Sequence, residues 1–258
     1  EDPSMNKDFS YQGRVVVEIR NPDGTYGKPR WVGDTEPSVT VTLSEESETR
    51  RENFTGKRME TAVIETGNTG EISLGLRYNT IENLALGLWG QVVSDAGGTV
   101  TGEALPEGLV AGDFIALDNG GVSALVLTDS SGTPVTLEEG EHYRIDSSAG
   151  GTLNILDVAG LEQPILAAYT HGASVNVGMF TSKPPEVRMT VHQINTIDGQ
   201  RQRTTLYRVR LNPVSDLNLI NESFGVLQLS GRVLYDADQD ARGDLGGFGE
   251  VKQFAEAA

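Results

Sequence analysis

The dominant periodicity along the chain has a step of two. Val39, Val41 and Leu43 alternate with Ser38, Thr40, Thr42 and Ser44; Ile72, Leu74 and Leu76 alternate with Glu71, Ser73 and Arg77. That pattern predicts strands with one apolar and one polar face. Residues 14–19 read as a strand from their β-branched content. Residues 174–179 read as another, and 186–197 with 201–211 as a long hairpin turning at Asp198-Gly199. Residues 225–235 read as the last strand. A single stretch has helical spacing. Ile81, Leu84, Ala85 and Leu88 fall at i, i+3, i+4 and i+7, giving one apolar face. Asn79 is the expected cap, Glu82 completes a capping-box-like start, and Gly90 is the expected stop.

Residues 45–58 break the alternation. They hold Glu45, Glu46, Glu48, Arg50, Arg51, Glu52, Lys57 and Arg58, with Phe54 as the sole large apolar residue. This reads as a long charged loop, and a loop of that length in a compact domain usually has a task. Mixed charge around one aromatic suits docking onto a neighbouring subunit. Strand character resumes at 59–65, and Gly67-Asn68-Thr69-Gly70 reads as a hairpin turn.

The texture changes over residues 92–172. Turns at Ala96-Gly97-Gly98 and Asn119-Gly120-Gly121 separate short strand candidates at 114–117, 124–127 and 152–156, with a turn leading into a strand over 137–146. This segment reads as a small β-rich insertion in a core built from 1–91 and 173–258. The polar, Gly-rich stretch 236–258 reads as a C-terminal arm. Residues 1–4 precede Met5 and read as a vector-derived remnant. The predicted fold class is mainly β: a β-sandwich or half-barrel flanked by one α-helix, with the insertion as a second domain.

Composition narrows the chemistry. The 258 residues suffice for a sizeable core, and 31 Gly suit many turns and short strands. There is no Cys, which removes disulfides, thiolate metal ligands and Cys nucleophiles and fits assembly in a reducing cytoplasm. The net charge of −17 opposes tight binding of nucleic-acid phosphates, which depends on Lys and Arg displacing counterions. No apolar run reaches the roughly 20 residues of a membrane-spanning helix.

Catalytic motifs are lacking: no Gly-x-Ser-x-Gly, no phosphate-binding glycine loop, no His-Glu-x-x-His. His142, His171 and His192 are dispersed, so no metal site is expected. Asp236-Ala237-Asp238-Gln239-Asp240 begins like a calcium loop, but Ala241 stands where Gly is needed and Gly247 where a bidentate Glu is needed. Arg242-Gly243-Asp244 matches a cell-adhesion tripeptide only in its letters. The expectation is a non-enzymatic chain without cofactors.

Phe9-Ser10-Tyr11-Gln12-Gly13-Arg14, Gly27-Lys28-Pro29-Arg30-Trp31-Val32-Gly33, the strand from Ser38, and Glu82-Asn83-Leu84-Ala85-Leu86-Gly87-Leu88-Trp89-Gly90 together resemble the major tail tube proteins of long, non-contractile-tailed bacteriophages. The likeness is best over 9–91 and weaker over 173–236. It implies that six subunits join their sheets into a ring-shaped β-barrel and that rings stack into the conduit for genome delivery. It also implies that Glu45 to Arg58 reaches the adjacent ring. The partners so implied are further copies of the chain, tail-tip or baseplate, tape-measure and terminator proteins, and passing DNA without specific binding, with no membrane. The implied location is the virion tail, assembled in the host cytoplasm.

Six copies at −17 each would put −102 in a ring, and an anionic lumen would repel DNA. Glu45, Glu65, Glu71 and Glu186 are candidates to face it. Arg203, Arg208 and Arg210 depart from an acidic wall and are candidates for subunit contacts or the outer surface. Two alternatives fit the same pattern. One is a carbohydrate-binding or adhesive β-module, although the two Trp and seven Tyr are scattered. The other is a different tail component of the same fold: terminator, baseplate or contractile-tail tube.

Overall fold

A computed structural model describes residues 8–241, 243 and 246–254. The proposed vector remnant, the Arg242 and Asp244 of the adhesion tripeptide, and the last four residues of the C-terminal arm lie outside the described residues. The chain forms two compact units. Unit 1 comprises residues 1–92 and 177–258, and unit 2 residues 93–176.

The elements in chain order are β1 (Tyr11–Ile19), β2 (Arg30–Trp31), β3 (Thr35–Arg51), β4 (Glu60–Leu76), α1 (Ile81–Leu88), β5 (Val92–Asp95), β6 (Gly98–Ala104), β7 (Phe114–Ala116), β8 (Ser123–Thr128), β9 (Tyr143–Ser147), β10 (Thr152–Ile155), β11 (Leu166–His171), β12 (Ser174–Val177), β13 (Glu186–Asn195), β14 (Arg201–Leu211), β15 (Leu227–Val233), α2 (Ala237–Asp240) and β16 (Gly249–Phe254).

Unit 1 is built on one eight-stranded sheet in the order β2-β1-β13-β14-β15-β4-β3. Strand β14 is the branch point. Its first half, Arg201 to Leu206, pairs antiparallel with β16, and its end, Val209 to Leu211, pairs with β15. A register shift between Val187 and Met189 of β13 sits opposite this switch. Among the described residues the sheet does not close into a barrel, and β3 ends the sheet order with one edge unpaired. Alternate residues bury one face: Val15 and Val17 of β1, Val187, Met189 and Val191 of β13, Ile72, Leu74 and Leu76 of β4, and Leu227, Leu229 and Val233 of β15. This is the period-2 rule at work, with one side-chain set per strand removed from water.

Helix α1 packs on β15, with Leu84 of its expected face at the margin of the core but with its fully buried residues beside that face. Its buried residues are Asn83, Leu86 and Gly87, whereas Ile81, Leu84, Ala85 and Leu88 are half-buried. Gly87 permits the approach, because an added Cβ would lie 2.7 Å from Val214 and 3.2 Å from Leu229. The cap is Thr80 rather than Asn79: its side chain accepts from the Asn83 N–H at 3.3 Å. Trp89 ends the helix in a left-handed conformation, and the Gly90 N–H closes on the Ala85 carbonyl. A second helix, the single turn α2, is capped by Asp236, whose buried carboxylate accepts from the N–H groups of Asp238 and Gln239. Strand 225–235 is not the last one either. The chain returns as β16, a complete partner for the first half of β14.

Unit 2 has its own core. Two three-stranded sheets, β7-β10-β9 and β6-β11-β8, share a cluster that includes Leu127, Leu153, Ile155, Ile165 and Tyr169. The Tyr169 hydroxyl donates to Glu103 and accepts from Asn119, so its polar end is satisfied. The chain passes between the units through β5 and β12, which pair with each other.

Candidate assembly surfaces

Only half of residues 45–58 is a loop. Strand β3 continues through Arg51, and β4 begins at Glu60, so the two form a long antiparallel arm in which only Glu52 to Met59 turn the chain. From Ser44 to Arg51 the arm runs about 22–24 Å. Gly67-Asn68-Thr69-Gly70 is no turn: Gly70 pairs with Leu43, Thr69 with Ser44, Asn68 with Glu45 and Gly67 with Glu46. Gly70 instead makes room for Val233, which would lie 3.1 Å from an added Cβ. Beyond Gly70 the arm leaves the core and both of its faces are exposed, Val63, Ile64 and Met59 included.

The turn at the arm's end is organised by Glu52. Its carboxylate accepts from the Phe54 and Thr55 N–H groups at 2.8 Å each, from the Thr55 hydroxyl, and from the Met59 N–H at 3.4 Å. The Thr55 hydroxyl first, then these backbone donors, pull the Glu52 pKa down to about 2. Phe54 beside it is 83% exposed. Glu52 therefore has a local structural task, while Lys57 and Arg58 stay exposed around the turn.

Charge along the arm is unevenly distributed. Its root holds Glu45, Glu46, Glu48 and Glu65 with no Lys or Arg, whereas its outer part holds Arg50, Arg51, Lys57 and Arg58 together with Glu52 and Glu60. Arg51 reaches Glu60 at 3.5 Å; Glu45, Glu46, Glu48 and Arg50 make no ion pair among the described residues.

The other sequence candidates lie elsewhere in unit 1. Glu71 is exposed on β4, 3.8 Å from Arg232. Glu186 is held by Arg208 in a two-pronged contact of 2.8 and 3.0 Å, with Arg20 at 3.7 Å. The Arg208 hydrogen bonds first, then the nearby positive charges, hold the Glu186 carboxyl below its ordinary range, and the same contact raises Arg208. Arg210 is exposed at the end of β14, opposite Glu186. Arg203 lies 4.0 Å from Glu250 and over the Phe254 ring, and its Nε has no partner among the described residues. The fold thus joins Glu186 to Arg208 and Arg210, and separates this group from the arm.

Residues 8–252 match the model of a family described as protein of unknown function UCP028589. The chain belongs to this family. No curated protein matches it.

In this family member the strand register reveals a feature that the sequence reading missed. Arg14 pairs with His192, His192 with Arg203, and Arg203 with Lys252, so one row crosses β1, β13, β14 and β16 on a single face. Beside it lies a groove of about 460 Å³ lined in part by Glu18, Arg188, Thr190, Thr205 and Tyr207. The only sequence signal was the Asp198-Gly199 hairpin, which sets His192 opposite Arg203. Partition of charge was also missed. Unit 2 contains twelve Asp and Glu and one basic side chain, Arg144, and so holds −11 of the −17, leaving −6 for unit 1. Among the described residues no helix is long and apolar enough to cross a membrane.

Proposed function

We propose that the chain is a structural, self-assembling subunit of a phage tail tube, forming hexameric rings that stack into a conduit for the genome. The observation that supports this most is the outer edge of β3, a strand of 17 residues that ends the sheet order and runs out into an arm exposed on both faces. A long unpaired edge is a liability for a monomer, and sister copies completing the sheet remove it. A ring needs one heterologous contact that closes, and stacking needs a second contact, for which the arm with its exposed Phe54 is suited. The number of subunits, the tail partners and the virion location rest on the family resemblance.

Charge partition refines the conduit. If unit 1 forms the wall, six copies bring −36 rather than −102, because −11 per chain belongs to unit 2. Glu186 adds little free charge to a wall, being held by Arg208; Glu45 and Glu65 are without ion pairs among the described residues. The test is electron microscopy of the purified chain over a range of concentrations. Rings or hollow tubes are expected. Uniform monomers at every concentration, or binding of glycans by such monomers, would overturn the reading in favour of an adhesive module.

A further inference from the structure

We propose that β3 pairs edge to edge with β3 of a second copy, antiparallel, about a two-fold axis at Glu48. The segment concerned is Glu45-Glu46-Ser47-Glu48-Thr49-Arg50-Arg51, in which the order of signs is complementary to itself on reversal. In this register Glu45 faces Arg51 of the partner subunit and Glu46 faces Arg50 of the partner subunit, each pair occurring twice. Of the registers that set this segment against itself, it makes the most opposite-charge pairs. Directly opposed residues on antiparallel strands lie about 4.5–5.5 Å apart at Cβ, close enough for these charges to interact.

Three features of the arm permit this contact. The outer edge of β3 is unpaired, so its backbone groups are open to another strand. The edge is regular across the segment, because the extra residues at the two register shifts, Thr66 and Thr61, belong to β4. Every side chain from Glu45 to Arg51 is exposed, and Glu45, Glu46, Glu48 and Arg50 lack ion pairs among the described residues. Charges on an edge strand ordinarily keep copies apart. Here the same charges admit one partner in one register and reject others, which is how specificity is built into strand pairing. A two-fold contact is isologous and closes at two copies, so it is distinct from head-to-tail ring assembly and serves the unassembled subunit. One unfavourable contact remains: Glu48 faces Glu48 of the partner subunit.

The experiment uses the full chain in sedimentation velocity at about 50 mM and about 1 M salt, since charge pairs are screened over roughly 3 Å at the higher value. A salt-weakened dimer is expected. The double variants Glu45→Arg/Glu46→Arg and Arg50→Glu/Arg51→Glu should each weaken it at least about tenfold, and their equimolar mixture should restore a heterodimer, because every charged pair except the one at position 48 is then opposite in sign. Glu48→Gln should tighten the dimer by about two- to fivefold. The chain has no cysteine, so Glu48→Cys offers a separate readout on the unassembled chain: mild oxidation should link copies through position 48. A monomeric wild type, double variants that associate normally, a mixture that stays monomeric, or failure of Glu48→Cys to cross-link would each overturn the proposal. The measurements are made below the concentration at which rings form, because a ring that used the same β3 edge would compete with this dimer.

Discussion

Asn83 is the residue whose loss should most clearly loosen α1 from unit 1. It is fully buried, at 0% exposure, and saturates its amide with three contacts of 2.8 Å. Its Nδ2 donates to the carbonyls of Val32 and Tyr78, and its Oδ1 accepts from Arg30 Nη1. Asn83→Ala removes all three and strands two carbonyls and a guanidinium whose other terminal nitrogen, Nη2, already lacks a partner among the described residues. At about 1 kcal/mol for each bond, with a further penalty for stranded groups, the loss is about 3–4 kcal/mol, more than a hundredfold in the folding equilibrium. For a unit of this size that lowers the melting midpoint by roughly 6–16 °C. Denaturation followed by tryptophan fluorescence reports on the correct unit, because both tryptophans, Trp31 and Trp89, belong to unit 1. Thr80→Ala is the comparison, since it removes only the helix cap and should cost about 1 kcal/mol. Asn83→Asp keeps the acceptor for Arg30 but loses both donors, so it should not rescue. If Asn83→Ala costs no more than Thr80→Ala, the buried amide is not what fixes the helix, and the reasoning fails.

Gly33 is left-handed at φ 93°, and an added Cβ would lie 2.3 Å from the Tyr78 ring, so Gly33→Ala should destabilise unit 1 by about 2 kcal/mol or more in the same fluorescence assay. Glu52 has its pKa lowered to about 2 from an ordinary 4.5, so its hold on the arm's turn is complete above about pH 4.5 and is lost as pH falls towards 2. Hydrogen exchange at the Phe54, Thr55 and Met59 amides, corrected for intrinsic rates, should rise over that interval, and Glu52→Gln should raise it at neutral pH. In Arg208→Ala the Glu186 carboxyl should titrate higher than in the wild type, because its strongest donor is gone; a carboxyl carbon NMR titration with no upward change would refute that role for Arg208.

Legibility of this chain followed one-sided burial. Strands β1, β13, β15 and the inner end of β4 could be read because a core on one face alone imposes a step of two. The arm is also paired strand, yet its residues meet water on both sides, so no alternation is imposed and residues 45–51 read as a loop. Gly70 misled for a related reason: turn composition and a site of close packing both select glycine, and only the neighbour, Val233, distinguishes them, whereas at Gly67 an added Cβ would meet nothing closer than Glu46 at 4.0 Å. The helix was found from its spacing but its fully buried residues lie beside the expected face, because a buried amide and a glycine occupy positions where the apolar rule expects large hydrophobes. Strand β16 could not be anticipated from residues 236–258, since its pairing with β14 is a property of the returning chain and not of local composition. The row from Arg14 to Lys252 has no signature along the sequence beyond the Asp198-Gly199 hairpin; it exists only through the register of four strands. The reversed sign order of Glu45 to Arg51 is the opposite case. Its letters were always visible, but charges along a loop have no fixed partner, and the order acquires meaning only once the backbone is an open strand edge.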